Sequence, residues 1–222
     1  MRKSIVLLSG GLDSTTVLYY AKAKRFQPYA LIVDYGQRHR KEIKHAEKIA
    51  CLLKCPSHVV RIAFPWQGSS LLDKRIQLPY HTTIDPHKIP STYVPGRNIV
   101  FLSFAVSYAE AVGATGVFIG ANAIDYSGYP DCRPEFFRAY ETTIQRGMKS
   151  GVQGKAIKIY TPLIRKTKTQ IIRLGHRLNV PFELTWSCYQ GDRIPCGRCD
   201  SCVLRRKGFE GAGVVDPVEM KK

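Results

Sequence analysis

The sequence contains no apolar run approaching the roughly 20 residues a membrane-spanning helix requires. Its first apolar stretch, Ile5-Val6-Leu7-Leu8, is too short for the core of a signal peptide, and Ser9-Gly10-Gly11 interrupts it at once. The expectation is a cytoplasmic protein with no membrane partner. Acidic residues are scarce: 17 Asp and Glu stand against 34 Lys and Arg, a net charge of +17. Such an excess suits an anionic partner such as a nucleotide or nucleic acid, and it equally suits a solvated basic surface. No run of five like charges marks out a binding tail. Seven cysteines leave one over in any disulfide framework, so a reducing compartment is the consistent setting. Two glycine signatures are also missing. Neither Gly-x-Gly-x-x-Gly nor Gly-Lys-Ser/Thr occurs at the N-terminal loop, which argues against a dinucleotide fingerprint and a Walker loop. There is no internal repeat.

Short apolar runs alternate with helical patterns. Lys3 to Leu8, Tyr29 to Val33, His58 to Ile62, Gly116 to Ile119 and Ile157 to Tyr160 read as strands. Thr15 to Lys24, Glu42 to Leu53, Asn98 to Val112, Pro134 to Gln145 and Thr169 to Leu178 read as helices, with Pro134 near the first helical position. This rhythm predicts an α/β fold, an open, doubly wound, mostly parallel five-stranded sheet with ligands at the C-terminal strand ends. The expected division is an ATP-binding domain over 1–184, a four-cysteine subdomain over 185–208 and a tail over 209–222. Within the first, residues 64–95 hold five prolines and lack periodicity, as an insertion or lid would.

Two motifs carry chemistry. Ser9-Gly10-Gly11-Leu12-Asp13-Ser14 lies between a strand and a helix, where glycines admit a ligand to the backbone and the first helical N–H groups point outward. Ser9 and Ser14 add hydroxyls, and Asp13 offers a carboxylate for Mg²⁺ against phosphate oxygens. The second motif is Cys188-x₇-Cys196-x₂-Cys199-x₂-Cys202. A tight turn at Gly197 lets these thiolates converge on one ion, and four cysteines make a closed, structural zinc site. An iron–sulfur cluster and redox thiols are the alternatives that spacing leaves open. Cys51, Cys55 and Cys132 read as small buried thiols.

The glycine loop resembles the pyrophosphate loop of the N-type ATP pyrophosphatases, which grip the β/γ-phosphates and split ATP between α and β. Further segments narrow the likeness: Tyr35-Gly36-Gln37-Arg38-His39, Val94-Pro95-Gly96-Arg97-Asn98, the stretch from Asp125 to Phe136, and Thr161-Pro162-Leu163 with Lys168. In that order, with the loop and the four cysteines, they resemble the 7-cyano-7-deazaguanine synthase family from about Ile5 to Lys207. The resemblance implies a carbon–nitrogen ligase of queuosine precursor synthesis. It would convert 7-carboxy-7-deazaguanine and ammonia to the nitrile, consuming two ATP and releasing AMP and pyrophosphate, and act as a homodimer with one structural zinc per chain. It assigns nucleotide binding to Leu8, Ser9, Gly10, Gly11, Leu12, Asp13, Ser14, Thr15, Thr16, Val17 and Leu18, with Arg38 and His39 lining the pocket. Lys168 and Arg97, with Asp13, are the candidate catalytic groups, the two cations neutralising charge on the phosphates. Asp131 is the candidate acceptor for the guanine-like edge, Tyr126 or Tyr129 for stacking, and Arg133 for the substrate carboxylate. The family often shows Lys-Ala-Glu where this chain has Lys168-Thr169-Gln170, so Gln170 receives no role.

Two rivals remain at this point. A tRNA-modifying enzyme with the same loop, a thiolase or lysidine synthetase, would use the positive charge. However, the chain leaves no room for a separate RNA-binding domain, and Cys132 is the one plausible thiolase cysteine. A zinc-ribbon module that binds nucleic acid would leave the core and the loop unused.

Overall fold

Alternation along the first strand sets the two faces of the sheet. In the computed structural model, which describes residues 1–80, 89–124 and 129–218, β1 spans Arg2–Leu7. Ile5 and Leu7 point to one face and Val6 and Leu8 to the other, and all four are buried. A parallel strand covered on both sides therefore reads as one continuous apolar run. The other strands are β2 (Phe26–Asp34), β3 (Ser57–Arg61), β4 (Gly116–Phe118) and β5 (Lys158–Tyr160), and the order across the sheet is β3-β2-β1-β4-β5 with every pairing parallel. β1 is central. The chain builds outward on one side of it through β2 and β3, then returns to the other side for β4. That reversal opens a crevice above the C-terminal end of β1.

The helices are α1 (Leu12–Ala23), α2 (Lys41–Leu52), α3 (Arg97–Val112), α4 (Pro134–Gly147), the short α5 (Lys149–Val152), α6 (Lys168–Arg177) and α7 (Asp200–Ala212). α1, α2 and α6 cover the Val6 face, joined by Phe209 of α7. α3 and α4 cover the Ile5 face, together with Phe64, Leu71 and Leu78 from the proline-rich stretch. That stretch is tied down locally, since Ser70 N donates to Ser91 O at 2.8 Å and Ser69 Oγ to the same oxygen at 3.2 Å. Among the described residues no helix is long and apolar enough to cross a membrane.

Three features depart from the sequence reading. β3 is an edge strand whose residues are mostly exposed, so its apolar Val59 marks β-propensity rather than burial, while Val60 packs part-buried against the core. α7 is masked in the sequence by the cysteines and runs past them to Ala212, closing on Gly213 with φ +70°. Gln170 has a structural role. Its side chain accepts from Thr167 N at 3.0 Å while Thr167 Oγ1 accepts from Gln170 N, a reciprocal cap that fixes the start of α6.

Candidate active site and cysteine cluster

The glycine loop turns at Gly10, where φ is +79°. A Cβ there would lie 2.3 Å from the carbonyl oxygen of Glu42, so glycine is what lets the loop rest against α2. The loop is braced from within. Ser14 Oγ lies 3.0 Å from Ser9 Oγ, accepts from Ser9 N at 3.1 Å and donates to Gly11 O at 3.2 Å. No side chain caps α1, so its leading N–H groups remain for an anion. Thr15 and Thr16 turn their hydroxyls back to Gly11 O and Leu12 O, and Val17 and Leu18 belong to the core. Of the nucleotide-binding candidates in this segment, Leu8, Ser9, Gly11, Leu12, Asp13 and Ser14 line the cavity above the sheet, while Gly10 and residues 15–18 lie behind it.

That cavity has a volume of about 270 Å³. At its loop end, Lys168 Nζ donates to both carboxylate oxygens of Asp13 at 2.8 Å. Lys168 opens α6 and is buried beneath α7, where the space for a Cβ on Gly208 is occupied by the Lys168 side chain. Its lining also includes Tyr35, Glu42, Arg97, Phe101 and Tyr129. Arg97, the first residue of α3, lies with its guanidinium 5.9 Å from the Tyr35 ring centroid. Burial pushes the Glu42 carboxyl up to about 7, with nearby Arg97 pulling it down. Burial also pushes the Cys132 thiol up to about 12, which leaves it a poor nucleophile although it lines the cavity.

The remaining candidates are distributed unevenly. Arg38 reaches the cavity wall, and its Nη2 donates to the carbonyls of Asp73, Lys74 and Ile76, pinning that segment. His39 lines the cavity with its Nε2 2.9 Å from Cys188 O, and burial holds its pKa below the usual value, so the neutral ring donates. Tyr129 is buried in the wall, its hydroxyl 2.5 Å from Thr92 Oγ1. Asp131 turns away: its Oδ2 accepts from Asn98 N at 3.1 Å and secures the start of α3. Arg133 is exposed and outside the cavity lining. Tyr126 lies outside the described residues.

The four sulfurs of Cys188, Cys196, Cys199 and Cys202 lie within 4.8 Å of one another. Metal–sulfur bonds of about 2.3 Å in a tetrahedron need sulfurs about 3.8 Å apart, so the cluster fits a metal ion. Cys196 N and Gln190 N donate to Cys188 Sγ at 3.3 and 3.4 Å, as thiolate ligands require. Hydrogen bonds from the Cys199 and Cys202 thiols, together with these amides, hold Cys188 well below its ordinary pKa. The same coupling raises Cys199 to about 12 and Cys202 further. The cluster is joined to the loop through Trp186, whose N donates to Gly10 O at 2.9 Å and whose Nε1 donates to Cys188 O at 2.9 Å.

The sequence pattern of the family described as "Queuosine biosynthesis protein QueC" matches residues 3–213. The chain belongs to the QueC family. The 7-cyano-7-deazaguanine synthase of Acetivibrio thermocellus is 52% identical over 219 residues, covering 99% of this chain and 98% of that one. The synthase of Thermoplasma volcanium is 52% identical over 223 residues, covering 100% and 92%. As a QueC family member the chain is a queuosine biosynthesis enzyme of the synthase class. Two solved structures share the fold at low identity. NMN synthetase from Francisella tularensis has a TM-score of 0.51 at 17% identity, over 99% of this chain and 81% of that one. A 4-thiouridine synthetase in an RNA complex with bound ATP has 0.52 at 16%, over 99% and 53%.

Within this QueC fold, sequence reasoning passes over Glu42, Trp186 and Asn122. Asn122 Nδ2 donates to Leu163 O at 3.3 Å and Lys166 O at 2.5 Å, joining the exits of β4 and β5. Trp186 carries a signal, an isolated tryptophan two residues before the first clustered cysteine. Glu42 carries none, because an acid in the first turn of an amphipathic helix is ordinary.

Proposed function

We propose that this chain is an ATP-dependent ligase that converts 7-carboxy-7-deazaguanine and ammonia to 7-cyano-7-deazaguanine, with ATP leaving as AMP and pyrophosphate. The observation that carries this reading is the phosphate loop at the C-terminal end of the central strand, bonded to Lys168 at the lining of one cavity, in a chain half identical to named synthases over its whole length. A carboxylate is a poor electrophile. Attack of its oxygen on the α-phosphorus of ATP gives an acyl-adenylate and pyrophosphate, and ammonia then displaces AMP to leave the amide. A second adenylation on the amide oxygen, followed by loss of AMP and a proton from nitrogen, gives the nitrile.

The residues take their roles from position. The uncapped start of α1 with Ser9 and Ser14 receives the β/γ-phosphates. Lys168 exchanges its bond to Asp13 for a phosphate oxygen and stabilises charge there, and Asp13 is the carboxylate placed to hold Mg²⁺. Arg97 supplies the cation for the substrate carboxylate, a role for which Arg133 is poorly sited. Zinc is the ion we assign to the four cysteines; a closed set of thiolates gives it a structural part, holding Trp186 and so the Gly10 turn.

The test is mass spectrometry of products from protein, ATP, Mg²⁺, 7-carboxy-7-deazaguanine and an ammonium salt. AMP, pyrophosphate, the amide and then the nitrile are expected. AMP release with the base unchanged refutes this substrate and turns the search to tRNA.

A further inference from the structure

Glu42 is the second residue of α2, and its backbone supports the Gly10 turn while its side chain lines the cavity. Among the described residues its carboxylate accepts no hydrogen bond and makes no ion pair. An acid in the first turn of a helix gains from the helix dipole, but an exposed side chain would gain that without desolvation. Among the described residues the cavity lining contains one other carboxylate, Asp13, and Lys168 occupies both of its oxygens. Asp131, the acid nearest in sequence to the substrate candidates, is spent on the start of α3.

We infer that Glu42 reads the base of the substrate, its two oxygens accepting the two adjacent N–H donors, ring N–H and exocyclic amine, of a guanine-like edge. The inference rests on the function proposed above. The complementarity is specific. 7-Carboxy-7-deazaguanine presents an anion at one edge and a pair of donors at another, and the cavity lining places the Arg97 cation close enough for its charge to act on the acceptor pair of Glu42. Adenine fits less well, because its amino group stands beside a ring lone pair that would face a carboxylate oxygen. The triphosphate would be repelled. Partial burial raises this carboxyl to about 7, and two donors would favour its ionised form.

Steady-state kinetics on the full-length, metal-loaded enzyme tests this with Glu42→Gln, which keeps the shape and turns one acceptor into a donor. KM for 7-carboxy-7-deazaguanine is expected to rise at least tenfold, with KM for ATP within twofold. Retained ATP affinity also shows that the variant is folded. Removing the 2-amino group from the substrate should cost the unmodified enzyme at least tenfold in kcat/KM and the Gln variant much less. Glu42→Asp, which keeps both acceptors, should recover part of the loss. A rise in KM for ATP alone assigns Glu42 to adenine and overturns the inference, as does a fall in kcat with both KM values unmoved. Activity of the unmodified enzyme with no change in the Gln variant overturns the inference alone. Inactivity of the unmodified enzyme toward this acid overturns the proposed function and the inference with it.

Discussion

Replacing Asp216 with alanine should destabilise the protein by about 3–5 kcal/mol, because it strands a buried cation. Arg205 of α7 donates from Nε to Asp216 Oδ2 at 2.6 Å and from Nη2 to Oδ1 at 2.8 Å, a two-pronged pair whose side chains are only 8% and 3% exposed. The same guanidinium donates to Thr185 Oγ1 at 2.7 Å and Phe182 O at 3.1 Å. It therefore joins α7 and the segment after it to the strand of chain that leads into Trp186. Without Asp216 the charge keeps its neutral acceptors but loses its counter-ion at a buried position. For a domain of this size the loss corresponds to a fall of about 6–20 °C in Tm. Urea unfolding followed by tryptophan fluorescence reads it directly, since Trp186 is buried and next to the joint. The double replacement Arg205→Met with Asp216→Leu removes both charges and should recover most of the stability. A loss below about 1 kcal/mol in the single variant, or a double variant no better than the single, would refute the account of this pair.

Lys168→Ala should lower kcat by about 10²–10³-fold with the fold intact, measured as AMP release; unchanged turnover removes Lys168 from the chemistry. Gly10→Ala forces a Cβ to within 2.3 Å of Glu42 O and 2.7 Å of Ala46 N at a φ of +79°, and should cost about 2–5 kcal/mol by chemical denaturation. The raised Glu42 carboxyl makes the folded state bind the extra proton between its ordinary 4.5 and about 7, so stability should fall as pH rises through that window. Glu42→Gln should flatten that slope of Tm against pH, and an unchanged slope assigns it to other groups. Stripping metal with a strong chelator should shift Trp186 emission to the red and weaken ATP binding, because Cys188 O holds the indole; an unaltered spectrum at zero metal content would separate cluster from loop.

What the sequence makes legible follows from how locally each feature is encoded. β1, its loop and α1 are written in one contiguous run, so apolar stretch, glycine pair and helix can be read together. The cysteine cluster is also local, and spacing alone announces convergence. Glu42, by contrast, matters because α2 packs on Gly10 more than thirty residues away, and nothing at position 42 records that. Asp131 shows the reverse: a carboxylate in the most family-specific stretch reads as a substrate contact, and in the fold one of its oxygens accepts from the amide of Asn98. α7 escapes a sequence reading because the metal pattern competes with a helix starting at the same residues.

The bond from Trp186 N to Gly10 O has a consequence in time. In the order of synthesis, the residue that fixes the loop's turn comes 176 positions after Gly10. At synthesis rates of about 5–20 residues per second, the glycine turn waits about 10–35 s for its anchor. For the first part of that interval β1 has β2 beside it but no β4, and until Trp186 is made the turn lacks its anchor. The phosphate site thus matures only once Trp186 has been made, long after its own motif.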